Sequence, residues 1–537
     1  MHASQFLFLT FSVLTLCNTD TGLNLTSFSP HTFSDLFAAL SELGYGRIEY
    51  TGTTILTFPD PRTNHSASLC TATCNILGAI LTNVTSQPGS APYFEQQADY
   101  WSNQQAETLP ACRVRPQSAR DVSASLLVTK FFRCPFAVKS GGHACFAGAS
   151  NIQSGLTIDL ANLNVIQVSD DRTLTQVGAG NLWGNVYSQL DRLQLSVIGG
   201  RVAGIGVGGL TLGGGISFFS GRHGWACDGV RNYQVVLADA SIVDVNDQSF
   251  PDLYFALRGG GNNFGIVTRF DLETFPQAGM WGGMRSSPLT ANVSLLTALY
   301  NFAIDAPSDP DAALIVAFAF YKGTYFTSTD LEYAKPIVNP PIFNELVSIE
   351  SISSTLRITN LTDLVEELNA SQPHGLRELY TTATFKNDPG LMTEVVEIFI
   401  SEVEGIKDTE GILPALVFQP ITTGIISYFG KNGGNALGIT ESDGPLILMN
   451  IAVAWANIGD DDRINTAANR IIDRSIALAK SLKLHHRFIY QNYASQRQDV
   501  FAGYGAANKQ RLIDISRKYD PEQVFQKLQP GYFKLGE

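Results

Sequence analysis

Short apolar runs separated by turn residues dominate the first half of the chain, a pattern typical of strands. The runs at 233–237 and 241–245 flank Ala238-Asp239-Ala240 and predict a β-hairpin. Further strands are predicted at 135–138, 156–160, 174–179 and 265–270, and helices at 122–129, with Asp121 as N-cap, and at 182–190. Residues 19–107 are more polar, and we expect irregular structure there.

Longer helical periodicity appears in the second half of the chain. Helices are predicted at 363–368, 393–404 and 463–482, between strands such as 313–320 and 446–454. A last helix at 508–518 is expected to end near Asp520-Pro521, because proline disfavours the helical conformation of the residue before it. The mixture of helices and strands favours an α+β fold.

Composition excludes some classes of partner. The chain has 537 residues, of which 44% are hydrophobic and 16% charged, enough for two or three domains with large cores. Its formal net charge is −13, and lysine and arginine form no cluster. We therefore expect neither nucleic acid nor an anionic membrane as a partner.

The N-terminus resembles a secretory signal. The apolar run at 6–17 is too short to span a membrane and suits a signal-peptide core, although no Lys or Arg precedes it; a buried helix is the alternative. The run at 446–456 is interrupted by Asn450, so no transmembrane helix is expected. A signal at 1–18 and secretion are also favoured by glycosylation sequons at Asn24, Asn64, Asn83, Asn292, Asn360 and Asn369.

The cysteines point to an oxidising compartment. Loss of a signal peptide would remove Cys17 and leave an even number, namely Cys70, Cys74, Cys112, Cys134, Cys145 and Cys227. Disulfides are expected among the N-terminal ones, with the pairing left open. Cys70 and Cys74 alone could suggest a metal, but no further ligand follows at zinc-like spacing, and no metal site is predicted.

A glycine-dense turn with one histidine follows the apolar run at 135–138. It reads Lys139-Ser140-Gly141-Gly142-His143 and continues to residue 150. Glycine permits positive φ and close approach, so the backbone N–H groups of such a turn can hold a phosphate oxygen. A plain surface loop is the alternative interpretation.

A second glycine-rich segment covers 199–215. Gly204-x-Gly206-x-x-Gly209 matches a dinucleotide-binding fingerprint, but such a motif must open a helix, and the glycines that follow cost about 1 kcal/mol each inside one. We therefore expect an extended wall lying flat against a planar ligand, with a glycine-rich coil as the alternative.

Two later segments complete the pattern. One covers 252–268 and contains Gly259-Gly260-Gly261-Asn262-Asn263, and the other contains Tyr490-Gln491-Asn492-Tyr493. Together the four segments resemble the vanillyl-alcohol-oxidase flavoproteins, in particular the berberine-bridge-enzyme-like branch. That resemblance implies a two-part FAD-binding domain of the PCMH type, made of 19–275 (core 108–275) and 485–537. Residues 276–484 would form an α+β substrate domain with an antiparallel sheet.

The resemblance also implies how FAD is bound. In that family the histidine of the Ser-Gly-Gly-His turn carries the flavin covalently, which here is His143. Val202 stands where many plant members have a second attaching cysteine, so attachment through His143 alone is expected. Ile205 falls where the family gates access of oxygen. The cofactor-binding residues implied are Ser140, Gly141, Gly142, His143, Gly148, Ala149, Val202, Gly206, Val207, Gly208, Gly209, Gly214, Ile266, Val267 and Asn492.

Three side chains are candidates for catalysis. A free tyrosine has a pKa near 10 and needs a cationic neighbour to act as a base at neutral pH. By resemblance Tyr493 or Tyr490 faces the flavin, although either could be a core tyrosine. Gln419 is a polar residue in an apolar strand, which could face the substrate or lie at a solvent-exposed edge.

The sequence thus predicts a secreted FAD-dependent oxidoreductase. It would oxidise a small organic substrate, most simply an alcohol of secondary metabolism, with O₂ as acceptor. An oligosaccharide oxidase of the same family and a redox-inert binding protein on the same scaffold are the alternatives.

Overall fold

Three β-sheets organise the computed structural model, which describes residues 33–45 and 66–536. The first sheet has the order β1-β2-β4-β3, with β2 and β3 parallel to β4. Its strands are β1 (Thr85–Ser86), β2 (Cys112–Val114), β3 (Phe136–Lys139) and β4 (Leu156–Asp159).

The second sheet is antiparallel and contains the predicted hairpin. Its strands are β5 (Ile166–Val168), β6 (Leu174–Gly178), β7 (Leu195–Val197), β8 (Val230–Val236), β9 (Ile242–Val245) and β10 (Ile266–Pro276). Strand β10 pairs with β6, β7 and β8, and the hairpin β8–β9 pairs Tyr233 with Val245.

The third sheet is antiparallel and belongs to the second half of the chain. Its strands are β11 (Met280–Pro288), β12 (Ala312–Tyr321), β13 (Thr324–Tyr333), β14 (Ser353–Ser354), β15 (Arg357–Thr359), β16 (Arg377–Lys386), β17 (Leu413–Ile421), β18 (Leu446–Trp455) and β19 (His485–His486). The expectation of an α+β fold with an antiparallel sheet is confirmed.

Helices connect and cover these sheets. They are α1 (Phe33–Glu42), α2 (Ser66–Ile80), α3 (Ala91–Ala98), α4 (Asn103–Ala106), α5 (Ala119–Phe132), α6 (Trp183–Asp191), α7 (Val207–Leu212), α8 (Ser220–His223), α9 (Pro251–Leu257), α10 (Asn292–Asp305), α11 (Asn344–Ser348), α12 (Leu361–Ala370), α13 (Pro389–Val403), α14 (Thr423–Ile426), α15 (Asp461–Ser481), α16 (Val500–Gly503), α17 (Ala506–Tyr519) and α18 (Val524–Lys527).

Strand β12 shows how the third sheet divides its two faces. Leu314, Val316 and Phe318 are buried in a hydrophobic core that includes residues of α10, α13 and α15. The residues between them alternate to the other face, as the two-residue period of a strand requires. That other face is turned toward the first two sheets, and both faces of β12 are apolar.

Two hydrophobic cores are present among the described residues. One gathers side chains between Leu36 and Met280 together with side chains of 488–535, and the other lies within 281–479. Parts of α12 and the segment 421–448 also pack in the first core. The domain boundaries proposed from the sequence stay a prediction.

Within 19–107, the expectation of irregular structure is wrong for the described residues. Helices α1 to α4 lie there. Helix α2 is anchored by disulfides from two successive turns, Cys70–Cys134 and Cys74–Cys112, which tie it to the connection between α5 and β3 and to β2. Disulfides among the N-terminal cysteines are thereby confirmed, and Cys70 and Cys74 are not metal ligands. No cluster of metal-ligating side chains occurs in the part of the chain that the structure describes.

The predicted start of the helix at 122–129 also needs correction. Helix α5 begins earlier than expected, because Ser118 is its N-cap: Ser118 Oγ accepts from Asp121 N at 3.2 Å, and Asp121 Oδ2 accepts from Ser118 N at 3.1 Å. This reciprocal capping box places Asp121 inside the first turn.

No helix in 33–45 or 66–536 is long and apolar enough to cross a membrane.

The glycine-rich segment is not extended throughout. Val207–Leu212 forms helix α7, with Gly206 as its N-cap. Val207 is fully buried, and Thr211 Oγ1 donates to Val207 O at 2.7 Å, so packing and a hydrogen bond offset the cost of the helical glycines. Gly214 and Gly215, at φ +110° and +84°, follow the helix end. The dinucleotide fingerprint still fails, because the preceding β7 pairs antiparallel with β10.

Candidate active site

The four segments singled out in the sequence meet in one cavity of about 630 Å³. It lies between the loops of the first two sheets and the exposed face of the third sheet. The predicted site residues that line it are Ser140, Gly141, Gly142, His143, Ala149, Val202, Gly206, Gly208, Gly209, Ile266, Val267, Gln419, Tyr490, Asn492 and Tyr493.

Three predicted cofactor residues do not line the cavity. Val207 is buried on α7, and Gly214 lies against Trp225, whose ring would be 2.8 Å from an added Cβ. Gly148 adopts φ +85° and approaches Gly531, where an added Cβ would lie 1.9 Å from Gly148 O. These three positions shape the surrounding loops.

One side of the cavity is built largely from backbone. This glycine wall consists of residues 140–143 and 205–209. An added Cβ at Gly206 would lie 2.3 Å from Gly141 N, so the two loops touch backbone to backbone. Ser140 Oγ fixes them by donating to Ala179 O at 2.6 Å and accepting from Gly208 N at 3.0 Å. Gly209, by contrast, does not touch the other loop, since an added Cβ there would meet nothing within 4 Å.

His143 is held in the glycine wall by a neighbouring segment. Its ring stacks on Trp101, with centroids 4.1 Å apart and planes 12° from parallel. Trp101 N donates to Gly142 O at 3.2 Å, and Ser102 Oγ and Gln105 Nε2 donate to Ala144 O at 2.8 and 2.9 Å. Burial lowers the pKa of His143 to about 3, so the imidazole is neutral at physiological pH and keeps the lone pair that a bond to carbon requires.

The cavity residues fit FAD. Gln491 Nε2 and Gln529 Oε1 are buried at the cavity and have no hydrogen-bond partner within the described residues. Buried polar groups need partners, and a cofactor rich in donors and acceptors would supply them. The glycine wall would hold such a group by backbone contacts, while His143 offers a neutral nitrogen for attachment.

Tyr493 meets a cation in this cavity. Arg201 Nη2 donates to Tyr493 Oη at 2.8 Å and to Gln419 Oε1 at 2.5 Å, and Gln419 Nε2 lies 3.3 Å from Tyr493 Oη. The sequence interpretation required a cationic neighbour for a tyrosine base without naming one. Arg201 was missed, although it is the one charged residue within the glycine-rich segment 199–215.

Tyr490 has a different environment. Its hydroxyl accepts hydrogen bonds from Ile216 N at 3.1 Å and Asn492 Nδ2 at 3.0 Å, and its ring meets that of Tyr493 edge-on at 4.9 Å. Burial, followed by the proximity of Tyr493, raises the pKa of Tyr490. The phenol therefore stays neutral and holds Tyr493 and Asn492 in place.

Gln419 lies in the interior of the third sheet. Strand β17 runs between β12 and β18, and the Gln419 side chain is only 3% exposed, so the alternative of a solvent-facing edge is wrong. The strand period places Gln419 on the same face as Val417 and Ala415, which also line the cavity.

Proteins of known description are similar to this chain in sequence. A family model described as "FAD binding domain" matches residues 110–246. The FAD-dependent monooxygenase tpcD of Cochliobolus heterostrophus is 41% identical over 449 residues, which are 81% of this chain and 87% of the relative.

Solved structures share the fold. The 6-hydroxy-D-nicotine oxidase of Arthrobacter nicotinovorans aligns with a TM-score of 0.71 at 19% identity, covering 84% of this chain and 97% of that one. BBE-like 1 of Physcomitrella patens aligns with a TM-score of 0.70 at 19% identity, covering 86% and 99%.

Proposed function

Since the chain belongs, with FAD-dependent monooxygenases such as tpcD, to a family of FAD-dependent oxidoreductases, we propose that it oxidises a hydroxyl-bearing carbon of a small organic molecule of secondary metabolism. Such an oxidation removes a hydride from carbon and a proton from oxygen. Bound FAD would supply the hydride acceptor, and the protein would supply position and charge. The observation that carries the proposal is the contact of Tyr493 with Arg201 in the cavity.

In this proposal Tyr493 Oη takes the proton of the substrate hydroxyl. Arg201 Nη2, which donates to this oxygen at 2.8 Å, places a positive charge beside it where the proton is taken. Gln419 Oε1 accepts a second hydrogen bond from the same guanidinium nitrogen and so fixes its position. Tyr490 is excluded from the role because its buried hydroxyl is already bound by two donors.

The proposal includes attachment of FAD through His143 alone. Val202 lines the cavity but offers no nucleophile. The Cys145 thiol also lines it, but burial raises the pKa of Cys145 well above its usual value, so the thiolate needed for attachment is disfavoured. Cys227 is buried elsewhere.

O₂ is the proposed acceptor, and two outcomes of its use differ in product. A simple oxidase releases peroxide, whereas incorporation of oxygen into the product would match the relatives named FAD-dependent monooxygenases. The substrate class also has a second candidate, because solved structures of the same fold include oligosaccharide oxidases.

The test is anaerobic mixing of the purified holoenzyme with panels of alcohols and sugars, followed by flavin absorbance. We expect bleaching by an aromatic or alicyclic alcohol and not by oligosaccharides. Reaction of the bleaching compound under ¹⁸O₂ then separates the oxidase, which leaves the product unlabelled, from the monooxygenase. Bleaching by no donor of either panel would contradict the proposal.

Secretion is the remaining part of the proposal. The signal-like run and the sequons at Asn24 and Asn64 lie outside the described residues. Asn83 and Asn360 are exposed, as attachment of a glycan requires. We expect a mature N-terminus near residues 18–23 and a loss of apparent mass on glycosidase treatment; glycan-free protein that retains Met1 would contradict secretion.

A further inference from the structure

The cavity continues beyond Tyr493 onto the third sheet, where its lining changes character. This sheet wall consists of the cavity-facing residues Met284, Ser286, Ile315, Ala317, Ala319, Ser328 and Asp330. Strand register brings them together: Ser286 pairs with Ser328, Met284 and Ile315 both pair with Asp330, and Ala317 pairs with Ser328. On the strands β11, β12 and β13 the surface formed by these residues is therefore mainly apolar, with one carboxyl group and two hydroxyl groups.

Asp330 is buried at the cavity without a partner among the described residues for one of its carboxyl oxygens. Its side chain is 5% exposed, it lines the cavity, and its Oδ1 has no hydrogen-bond partner among the described residues. A buried polar group without a partner is costly, and such groups in native structures require an explanation. Because Asp330 faces the cavity, a bound molecule can supply the missing partner.

The charges around Asp330 limit what that molecule can be. Burial raises the pKa of Asp330 to about 7, with Glu367 acting in the same direction and Arg201 in the opposite one. Glu332, on the same face of β13, is also buried, and burial raises its pKa well above the usual value. Arg357 is engaged by Glu367 and Asp363. Near neutral pH the carboxyl can thus carry a proton to donate, and the Arg201 cation near it disfavours a positively charged ligand.

We propose that Asp330 binds a neutral oxygen, a hydroxyl or carbonyl group, at the end of the substrate opposite the reacting carbon. The inference rests on the proposed function and adds a substrate class: a compact, mainly apolar alcohol with a second oxygen. Ile315, Ala317 and Ala319 contact its apolar body, and Asp330 fixes which of its two oxygenated ends meets Tyr493. An oligosaccharide, with hydroxyl groups on every side, would leave most of its donors unpaired against this wall.

The test measures binding rather than turnover. The oxidised holoenzyme is mixed anaerobically in a stopped-flow instrument with benzyl alcohol, 3-hydroxybenzyl alcohol or 3-(aminomethyl)benzyl alcohol, and Kd is obtained from the absorbance change of the oxidised flavin on binding, before the flavin is reduced. Wild type, Asp330→Asn and Asp330→Leu are compared, since asparagine keeps a donor and an acceptor whereas leucine keeps only the approximate size. Flavin content of each variant reports whether the fold is intact.

We expect the wild type to bind the hydroxylated probe at least about tenfold more tightly than benzyl alcohol, as one hydrogen bond to a buried group provides. Asp330→Asn should retain most of this preference, and Asp330→Leu should abolish it while retaining flavin. The inference would be overturned if the wild type showed no preference or bound neither alcohol. It would also be overturned if Asp330→Leu kept the preference or if the amine bound most tightly. A wild-type protein that contains no flavin would instead refute the proposed function.

Discussion

The two sides of the cavity are built on different principles. The glycine wall is made of backbone, and its shape depends on what is absent: a single Cβ at Gly206 would lie 2.3 Å from Gly141 N. The sheet wall is made of side chains from three different strands, such as Ser286, Ala317 and Asp330. The glycine wall suits a planar cofactor. Single side chains of the sheet wall can be exchanged without disturbing the backbone, so that wall can be adapted to a particular substrate.

The largest effect is expected from adding a side chain to the glycine wall. Gly206→Ala should separate the two loops, because the new Cβ meets backbone atoms of Gly141 that cannot rotate away. Overpacking of this kind costs about 1–3 kcal/mol or more. We expect the flavin content per polypeptide to fall below half of the wild-type value, measured from the absorbance ratio of flavin to protein.

Gly459→Ala is the matched control, because its added Cβ meets nothing within 4 Å and the residue lies outside the cavity. It should keep full flavin content. If Gly206→Ala binds FAD as well as this control does, backbone contact between the loops does not shape the cofactor site.

The next effect tests the point where the two walls meet. Tyr493→Phe removes the hydroxyl that contacts Arg201, four residues before the second segment of the glycine wall, and Gln419 on the third sheet. General-base catalysis contributes about 10²–10⁴-fold, so anaerobic flavin reduction should slow by that order with unchanged flavin content. The measurement is stopped-flow absorbance with the alcohol that bleaches wild type most rapidly.

Tyr490→Phe serves as the comparison for that variant. It should slow flavin reduction less, although it leaves Ile216 N without this acceptor and removes one of the two hydrogen bonds of Asn492 Nδ2, which also donates to Leu210 O, and should lower stability by about 1–3 kcal/mol. Wild-type reduction rates in Tyr493→Phe would mean that Tyr493 only packs, and the base would have to be sought on the sheet wall.

His143 gives the glycine wall a chemical role that its glycines lack. Because burial lowers the pKa of His143 to about 3, the imidazole of the apoprotein stays neutral as the pH falls from 8 to 5. The rate of covalent FAD incorporation, followed by flavin fluorescence of denatured protein, should therefore change little over that range. An exposed histidine with a pKa near 6.5 would be mostly protonated at pH 5 and lose most of its rate.

His143→Ala is the companion variant for this experiment. It should bind FAD that is released on acid precipitation, whereas the wild-type pellet should stay yellow and yield a flavin-modified peptide containing His143. A colourless wild-type pellet, or a cysteinyl-flavin peptide, would contradict attachment through His143 alone.

The same contrast explains which parts of the site could be predicted from the sequence. The glycine wall consists of local segments, so spacing such as Ser140-Gly141-Gly142-His143 carries its own signal. On the sheet wall, Asp330 and Ser286 come together only through strand register, and both faces of β12 are apolar, so periodicity did not show which face lines the cavity. Arg201 could have been noticed as a lone charge among glycines, but its partners lie 218 and 292 residues away.

The smallest effect concerns oxygen. Ile205 lies in the glycine wall, and its half-buried side chain lines the cavity. Ile205→Val removes one methylene at the position that, by family resemblance, limits access of O₂, at a stability cost of about 0.5–1.5 kcal/mol. Reoxidation of the reduced enzyme, mixed with aerated buffer, should be as fast as in wild type or a few-fold faster. Ile315→Val makes the same change on the sheet wall and should leave reoxidation unchanged. Equal acceleration in both variants would mean that oxygen reaches the flavin through the cavity as a whole and not past Ile205. If the reduced wild-type enzyme stays bleached in air while quinones restore its colour, the protein is a dehydrogenase.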